Sequence, residues 1–155
     1  KAYVSSPITS LSAAKFSANQ STVQSVLDAL EDAGIHYYWP GERFEHSVEY
    51  LPSSLEAEHN LAELAGCTGF LFLQFDEITS SSGSLIEVGI GMGLGLPTVI
   101  FIGSEVNKVA YLLDGIQTAA DHLRSRPRVR TYPVKSSDKA VEIISNQKWS
   151  LWDPS

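Results

Sequence analysis

One carboxylate in this sequence sits where an ionised group is costly. Glu87 lies among Leu85, Ile86, Val88 and Ile90, and a charged side chain in apolar company has to be paired or hydrogen-bonded. Two readings fit it. A carboxylate fixed beside a sugar ring can trap an oxocarbenium-like centre as a covalent glycosyl-enzyme. A carboxylate early in a helix can also do no more than complement the positive end of the helix dipole. The segment before it, Thr79-Ser80-Ser81-Ser82-Gly83-Ser84, presents hydroxyls and backbone N–H groups beside a helix start, which suits an anionic oxygen or a sugar hydroxyl. An ordinary polar turn has the same composition.

Other candidate chemistries lose support on spacing. The glycines Gly89, Gly91, Gly93 and Gly95 precede a strand-like run instead of following one, the reverse of a dinucleotide-binding fingerprint. They read better as a helix face that must approach a neighbouring strand or subunit closely. His36, His46, His59 and His122 show no metal-ligand spacing, and with the single Cys67 a structural zinc site is not expected. No Gly-x-Ser-x-Gly elbow is present, so serine-nucleophile hydrolysis is unsupported. In Tyr37-Tyr38-Trp39-Pro40-Gly41-Glu42-Arg43-Phe44, Trp39, Arg43 and Phe44 are candidates for stacking a base or meeting a phosphate, while Tyr37 is expected to face the core.

The elements that must position these residues alternate. Ala2-Tyr3-Val4 reads as a short strand stopped by Ser5-Ser6-Pro7. Val23, Val26, Leu27 and Leu30 recur at helical spacing with Gly34 as the stop, and residues 35–39 read as a second strand. A helix begins at Pro52-Ser53-Ser54 and ends near Gly66, and the nearly all-apolar Gly69-Phe70-Leu71-Phe72-Leu73 predicts a strand covered on both faces. A helix over about 84–94 leads to a fourth strand at 97–102. A helix through 109–113, a strand around 129–132 and a last helix carrying Val141, Ile143 and Ile144 complete the pattern. The expected architecture is α/β, one domain over 1–155 with a five-stranded parallel sheet between helical layers. Ligands in such a sheet bind at the carboxyl ends of the strands, where strand order reverses.

Composition agrees. A chain of 155 residues, 43% hydrophobic, closes one core and not two. The formal charge of −7 argues against a duplex nucleic acid partner. No apolar run approaches the ~20 residues that cross a bilayer, so no membrane partner is expected, and one cysteine fits a cytoplasmic setting. The first residue is Lys1 and not Met, which fits either a trimmed chain or a piece of a longer one.

Taken together, the opening Ala2-Tyr3-Val4-Ser5-Ser6-Pro7-Ile8, the loop from Asp76 to Glu87, and Glu87-Val88-Gly89 running through Gly95-Leu96-Pro97 into a strand resemble the nucleoside 2-deoxyribosyltransferase superfamily. That superfamily includes nucleoside 5′-monophosphate N-glycosidases. The resemblance implies a flavodoxin-like three-layer sandwich, no cofactor, and cleavage or transfer of the bond between a (deoxy)ribose and a base. It makes Glu87 the nucleophile and Tyr3 the residue that orients it. It places Ser5, Ser6, Pro7, Ile8, Trp39, Asp76, Ser81, Ser82 and Gly83 around a nucleoside or nucleotide. Ser81, with Ser82, Gly83 and the Ser5-Ser6 turn, is expected to receive a 5′-phosphate, because Ser81 stands where the free-nucleoside transferases resemble one another in carrying aspartate. The resemblance also implies a homodimer or larger homo-oligomer.

Two positions depart from the family pattern. Asn60 stands where an aspartate usually handles the departing base; an amide can hydrogen-bond a base but cannot protonate it. Among nearby acids, Glu56 and Glu63 share its helical face and Glu58 does not, which leaves the first two open. Thr9 stands near an expected arginine. An NAD glycohydrolase of similar fold and a non-catalytic nucleotide-sensing module are the alternatives.

Overall fold

The computed structural model describes residues 1–8, 12–43, 53–75, 82–104, 106 and 128–153. Within them, β1 (Ala2–Ser5), β2 (Tyr37–Tyr38), β3 (Gly69–Gln74), β4 (Thr98–Gly103) and β5 (Val129–Val134) form one sheet in the order β2-β1-β3-β4-β5. Every neighbouring pair is parallel. The helices are α1 (Ala13–Asp32), α2 (Ser53–Ala65), α3 (Ser82–Gly93) and α4 (Ser137–Gln147). This is the α/β parallel sheet expected from the alternation of elements, in the flavodoxin-like form that the family resemblance implied. The expected helix through 109–113 lies outside the described residues.

Alternate residues of the central strands supply two cores. Ala2, Val4, Leu71, Leu73, Val99 and Phe101 face one way and pack with Val23, Val26, Leu27 and Leu30 of α1 and Ala140 and Ile144 of α4. Tyr3, Phe70, Phe72, Ile100 and Ile102 face the other way and meet Leu64 of α2 and Val88 of α3. Cys67 belongs to this second core as a buried thiol, the small apolar role its surroundings in the sequence suggested.

The second strand is shorter than the expected 35–39, for a reason visible in the backbone. The amide of Ile35 closes α1 by bonding to the Leu30 carbonyl at 2.8 Å, across Gly34 at φ +74°. Ile35 is therefore spent on the helix end. Trp39 leaves the ladder at the other end and turns into a 3-10 turn at Pro40–Arg43, accepting the Glu42 amide at 3.2 Å.

The sheet order has one reversal. The chain goes from β1 outward to β2 and then crosses back to β3 on the opposite side of β1, so the crevice expected at such a switch point lies beyond the carboxyl ends of β1 and β3. Helix α3 follows β3 and delivers its first turns to that crevice. Its close seating depends on Gly91, where an added Cβ would come within 2.9 Å of the Phe70 ring. The ring cannot yield easily, because its other face stacks on Tyr3 at 5.6 Å and 10°. Gly89 and Gly93, by contrast, have open space where a side chain would be.

Gly91→Ala is expected to cost about 1–3 kcal/mol, the ordinary penalty for overpacking a filled core. Gly93→Ala, which meets nothing, is expected to be neutral or slightly stabilising through helix propensity. Denaturant midpoints of the two variants check the contrast.

Candidate functional site

The site is assembled by strand alternation. Tyr3 and Ser5 are two apart on β1 and so point to the same side of the sheet, the side that carries α2 and α3. Glu87 reaches them from the second turn of α3. The Tyr3 hydroxyl donates to Glu87 Oε1 at 2.8 Å, and the Ser5 hydroxyl donates to Oε2 at 2.6 Å. Each carboxylate oxygen thus has its own donor. Ser5 and Tyr3 have no solvent exposure, whereas Glu87 is half-buried.

Burial dominates the electrostatics of Glu87 and raises its carboxyl above the ordinary carboxylate value, while the bonds from Ser5 and then Tyr3 pull it back down. Burial, with the adjacent Glu87 charge, pushes the Tyr3 phenol far above its usual range, so it serves as a fixed donor. What results is a carboxylate oriented at both oxygens, near the switch point of the sheet, with less solvation than one in water. Such a group is a competent nucleophile or a stabiliser of developing positive charge.

A second layer connects this carboxylate to α2. Tyr38, paired in register with Tyr3, lies against the Tyr3 ring at 5.5 Å. Its hydroxyl donates to Asn60 Oδ1 at 2.8 Å. The amide of Asn60 is thereby placed over the β2–β1 edge of the same face. His59 touches the Tyr38 ring edge-on at 5.8 Å, and Lys1 Nζ stands 5.4 Å from its centroid.

The other residues singled out in the sequence divide. Ser5, expected to meet substrate, spends its hydroxyl proton on Glu87. Ser6 is buried and accepts the indole N–H of Trp39 at 3.0 Å. Trp39 is itself 1% exposed, so it belongs to the core and presents no stacking surface. The half-buried neighbour is Tyr37, which donates to Glu42 at 2.9 Å. Tyr37 packs against the first core as expected, while Trp39, expected to be available, is turned inward by the early end of β2. Pro7 is buried with its carbonyl bonded by Asn19 Nδ2 at 3.1 Å, and Ile8 packs against the first core. Gly83 is exposed in the first turn of α3. Ser82 opens that helix, but its side chain, like that of Arg43, is outside the description, as are Thr9, Phe44, Asp76 and Ser81 altogether. No cluster of three or more His, Cys, Asp or Glu able to hold a metal occurs among the described residues.

Sequence reasoning missed two partners. It assigned Ser5 to substrate and not to Glu87, although the two-residue spacing from Tyr3 was the signal available. It passed over Tyr38, which only the β1–β2 register brings beside Tyr3.

No family model matches the sequence, and neither does any curated protein. Solved structures do. The CMP N-glycosidase BcmB of Clostridium botulinum superposes with a TM-score of 0.64 at 14% identity, covering 94% of this chain and 97% of that one. A 2-deoxyribosyltransferase from Bacillus psychrosaccharolyticus gives 0.64 at 15% identity, with 97% and 94% covered. A conserved protein from Enterococcus faecalis gives 0.56 at 17%. The chain has the fold of these proteins. That agrees with the fold the sequence resemblance implied, over nearly the full length of both chains.

The raised carboxyl of Glu87 has a consequence for stability. A group whose folded value is raised contributes stability that is full below its ordinary range and is lost as pH rises through the folded value. Ionised Glu87 therefore weakens the fold at neutral pH. Glu87→Gln is expected to melt a few degrees higher than the parent there, with the gap closing as the pH falls toward the ordinary carboxylate range; thermal melts across that range check it.

Proposed function

We propose that the protein cleaves or transfers the N-glycosidic bond of a nucleoside or nucleoside 5′-monophosphate, with Glu87 as nucleophile. The observation that carries this reading is the carboxylate of Glu87 held at both oxygens by Tyr3 and Ser5 beside the sheet's switch-point crevice. The structural neighbours described by name as an N-glycosidase and a deoxyribosyltransferase support it.

In the first step a Glu87 oxygen bonds to the anomeric carbon as the C–N bond breaks, and the electron pair leaves with the base. In the second step water or another base attacks that carbon, and the Glu87 carboxylate departs. The donors from Tyr3 and Ser5 hold the attacking oxygen in line and lower the cost of keeping it ionised in a desolvated place. Both steps keep charge near a fixed carboxylate that needs little reorganisation. Substrate enters at the crevice past the first turn of α3, whose backbone N–H groups and exposed Gly83 leave room for the sugar's 5′ end.

The test is base release, followed chromatographically, from cytidine, 2′-deoxycytidine, adenosine, 2′-deoxyadenosine and their 5′-monophosphates, with NAD as a further substrate. Glu87→Gln is expected to abolish release while the fold survives; unchanged turnover would end the proposal. Tyr3→Phe and Ser5→Ala each remove a hydrogen bond to a charged group, worth about 1.5–3 kcal/mol, and are expected to slow the reaction about 10–100-fold. Because both bonds lower the Glu87 value, their loss also moves the acidic limb of the pH–rate profile to higher pH.

The same reading includes self-association. Four large exposed apolar side chains, Leu55, Leu61, Ile86 and Leu94, belong to α2, α3 and the turn after α3, all in one layer of the sandwich. Glu87 is the only charged residue of α3, and Gly89 and Gly93 on that helix are open. An apolar patch with helix backbone accessible for close approach is matched by another copy of itself about a two-fold axis. Light scattering is expected to give twice the chain mass, and the monomer mass for Ile86→Glu.

A further inference from the structure

Expelling a base from a sugar leaves negative charge on the base unless a proton arrives, and an acid positioned for that purpose is worth about 10²–10⁴-fold. Asn60 cannot supply one. We propose that Glu56, one helical turn before Asn60 on α2, is the acid that protonates the departing base; this rests on the glycosidic reading above.

The argument is one of position among three acids on α2. Glu58 is exposed and lies off the Asn60 face. Glu63 shares that face, but Lys1 holds it at 2.5 Å, and the Lys1 carbonyl accepts the Thr68 amide at 2.8 Å, at the entry to β1 and β3. That is the amino edge of the sheet, opposite the end where Ser5 and Glu87 meet. Glu56 lies in the other direction. A helix that crosses between parallel strands runs antiparallel to them, so the first turn of α2 lies toward the carboxyl edge. Four residues before Asn60 moves Glu56 about 6 Å that way, from a residue already tied through Tyr38 and Tyr3 to Glu87. Glu56 is half-buried and its Oε2 atom has almost no solvent exposure, as an acid facing into the fold requires.

Glu56 on α2 and Glu87 on α3 then form the two walls of the crevice, one acting on the base and the other on the sugar. In the first step Glu56, as the carboxylic acid, gives its proton to the base as the C–N pair reaches it, while the Glu87–carbon bond forms. In hydrolysis Glu56, now the carboxylate, takes a proton from water as the hydroxyl adds to the anomeric carbon and Glu87 is released. Both groups return to their starting states.

The test compares two leaving groups. Cytidine 5′-monophosphate and the other nucleosides and nucleotides of the panel release bases that need a proton; 4-nitrophenyl β-D-ribofuranoside releases a phenolate stable enough to leave without one. Glu56→Gln is expected to lose about 100-fold or more on the panel substrate that the parent turns over, and to keep the first-turnover burst of nitrophenol within about twofold, because only the later hydrolysis step of that substrate needs Glu56. Retained nitrophenyl release also reports that the variant is folded. Glu58→Gln and Glu63→Gln are expected to leave the ratio of the two rates unchanged. Equal loss on both substrates, or no loss on either, overturns the assignment to Glu56 while the glycosidic reading stands. Absence of turnover by the parent on every substrate, with Glu87→Gln no different, removes the reading and the assignment together.

Discussion

The structure turns on a carboxylate that is expensive to keep where it is. Glu87 gives up much of its water, which raises its carboxyl, and two hydroxyls return part of that loss. Its retention in a half-buried, doubly bonded state sets a requirement on everything around it. Tyr3 and Ser5 must lie on one side of β1, α3 must sit close enough for a five-atom side chain to reach them, and nothing cationic can neutralise the charge. Among the described residues the observed causes of its shift are burial and the two hydroxyls alone.

Packing meets the requirement through a short chain of contacts. Gly91 lets α3 approach Phe70, Phe70 stacks on Tyr3, and Tyr3 holds Glu87. The far side of Phe70 is secured too: its carbonyl accepts the Trp152 indole N–H at 3.1 Å, and the Trp152 ring fills the place where a Cβ on Gly69 would be. The phenol therefore has little freedom to tilt. In a core at organic-crystal density, a change at Gly91 is felt at the carboxylate although the two never touch.

Much of this was legible in the sequence, and the reasons are specific. The runs at β3 and β4 are apolar throughout because both faces are covered, a pattern that a one-sided strand or an amphipathic helix does not produce. Glu87 announced itself as a charge among aliphatic neighbours. What stayed illegible depends on register and on chain ends. Ile35 is apolar whether it enters a ladder or closes a helix, and it closes a helix; that choice shortens β2 and sends Trp39 inward. Ser5 and Ser6 are adjacent and alike, yet strand alternation sends one to Glu87 and the other to Trp39. Tyr38 became part of the site only because β2 pairs with β1 in the register that sets it opposite Tyr3.

The order of the strands explains why the chemistry can be divided between two helices. In a sheet whose chain moved steadily in one direction, α2 and α3 would succeed each other across the same face without a crevice beside the first strand. Here β1 is central, with β2 on one side and β3 on the other. The helix that follows β2 and the helix that follows β3 therefore approach β1 from opposite flanks. Tyr3, in the middle, touches both: its ring meets Tyr38, which carries Asn60 of α2, and its hydroxyl meets Glu87 of α3. A ligand seated over β1 meets a different helix with each of its ends. That asymmetry suits the proposed substrate class, a molecule with two chemically distinct halves, a polar ring of hydroxyls joined to a flat heterocycle.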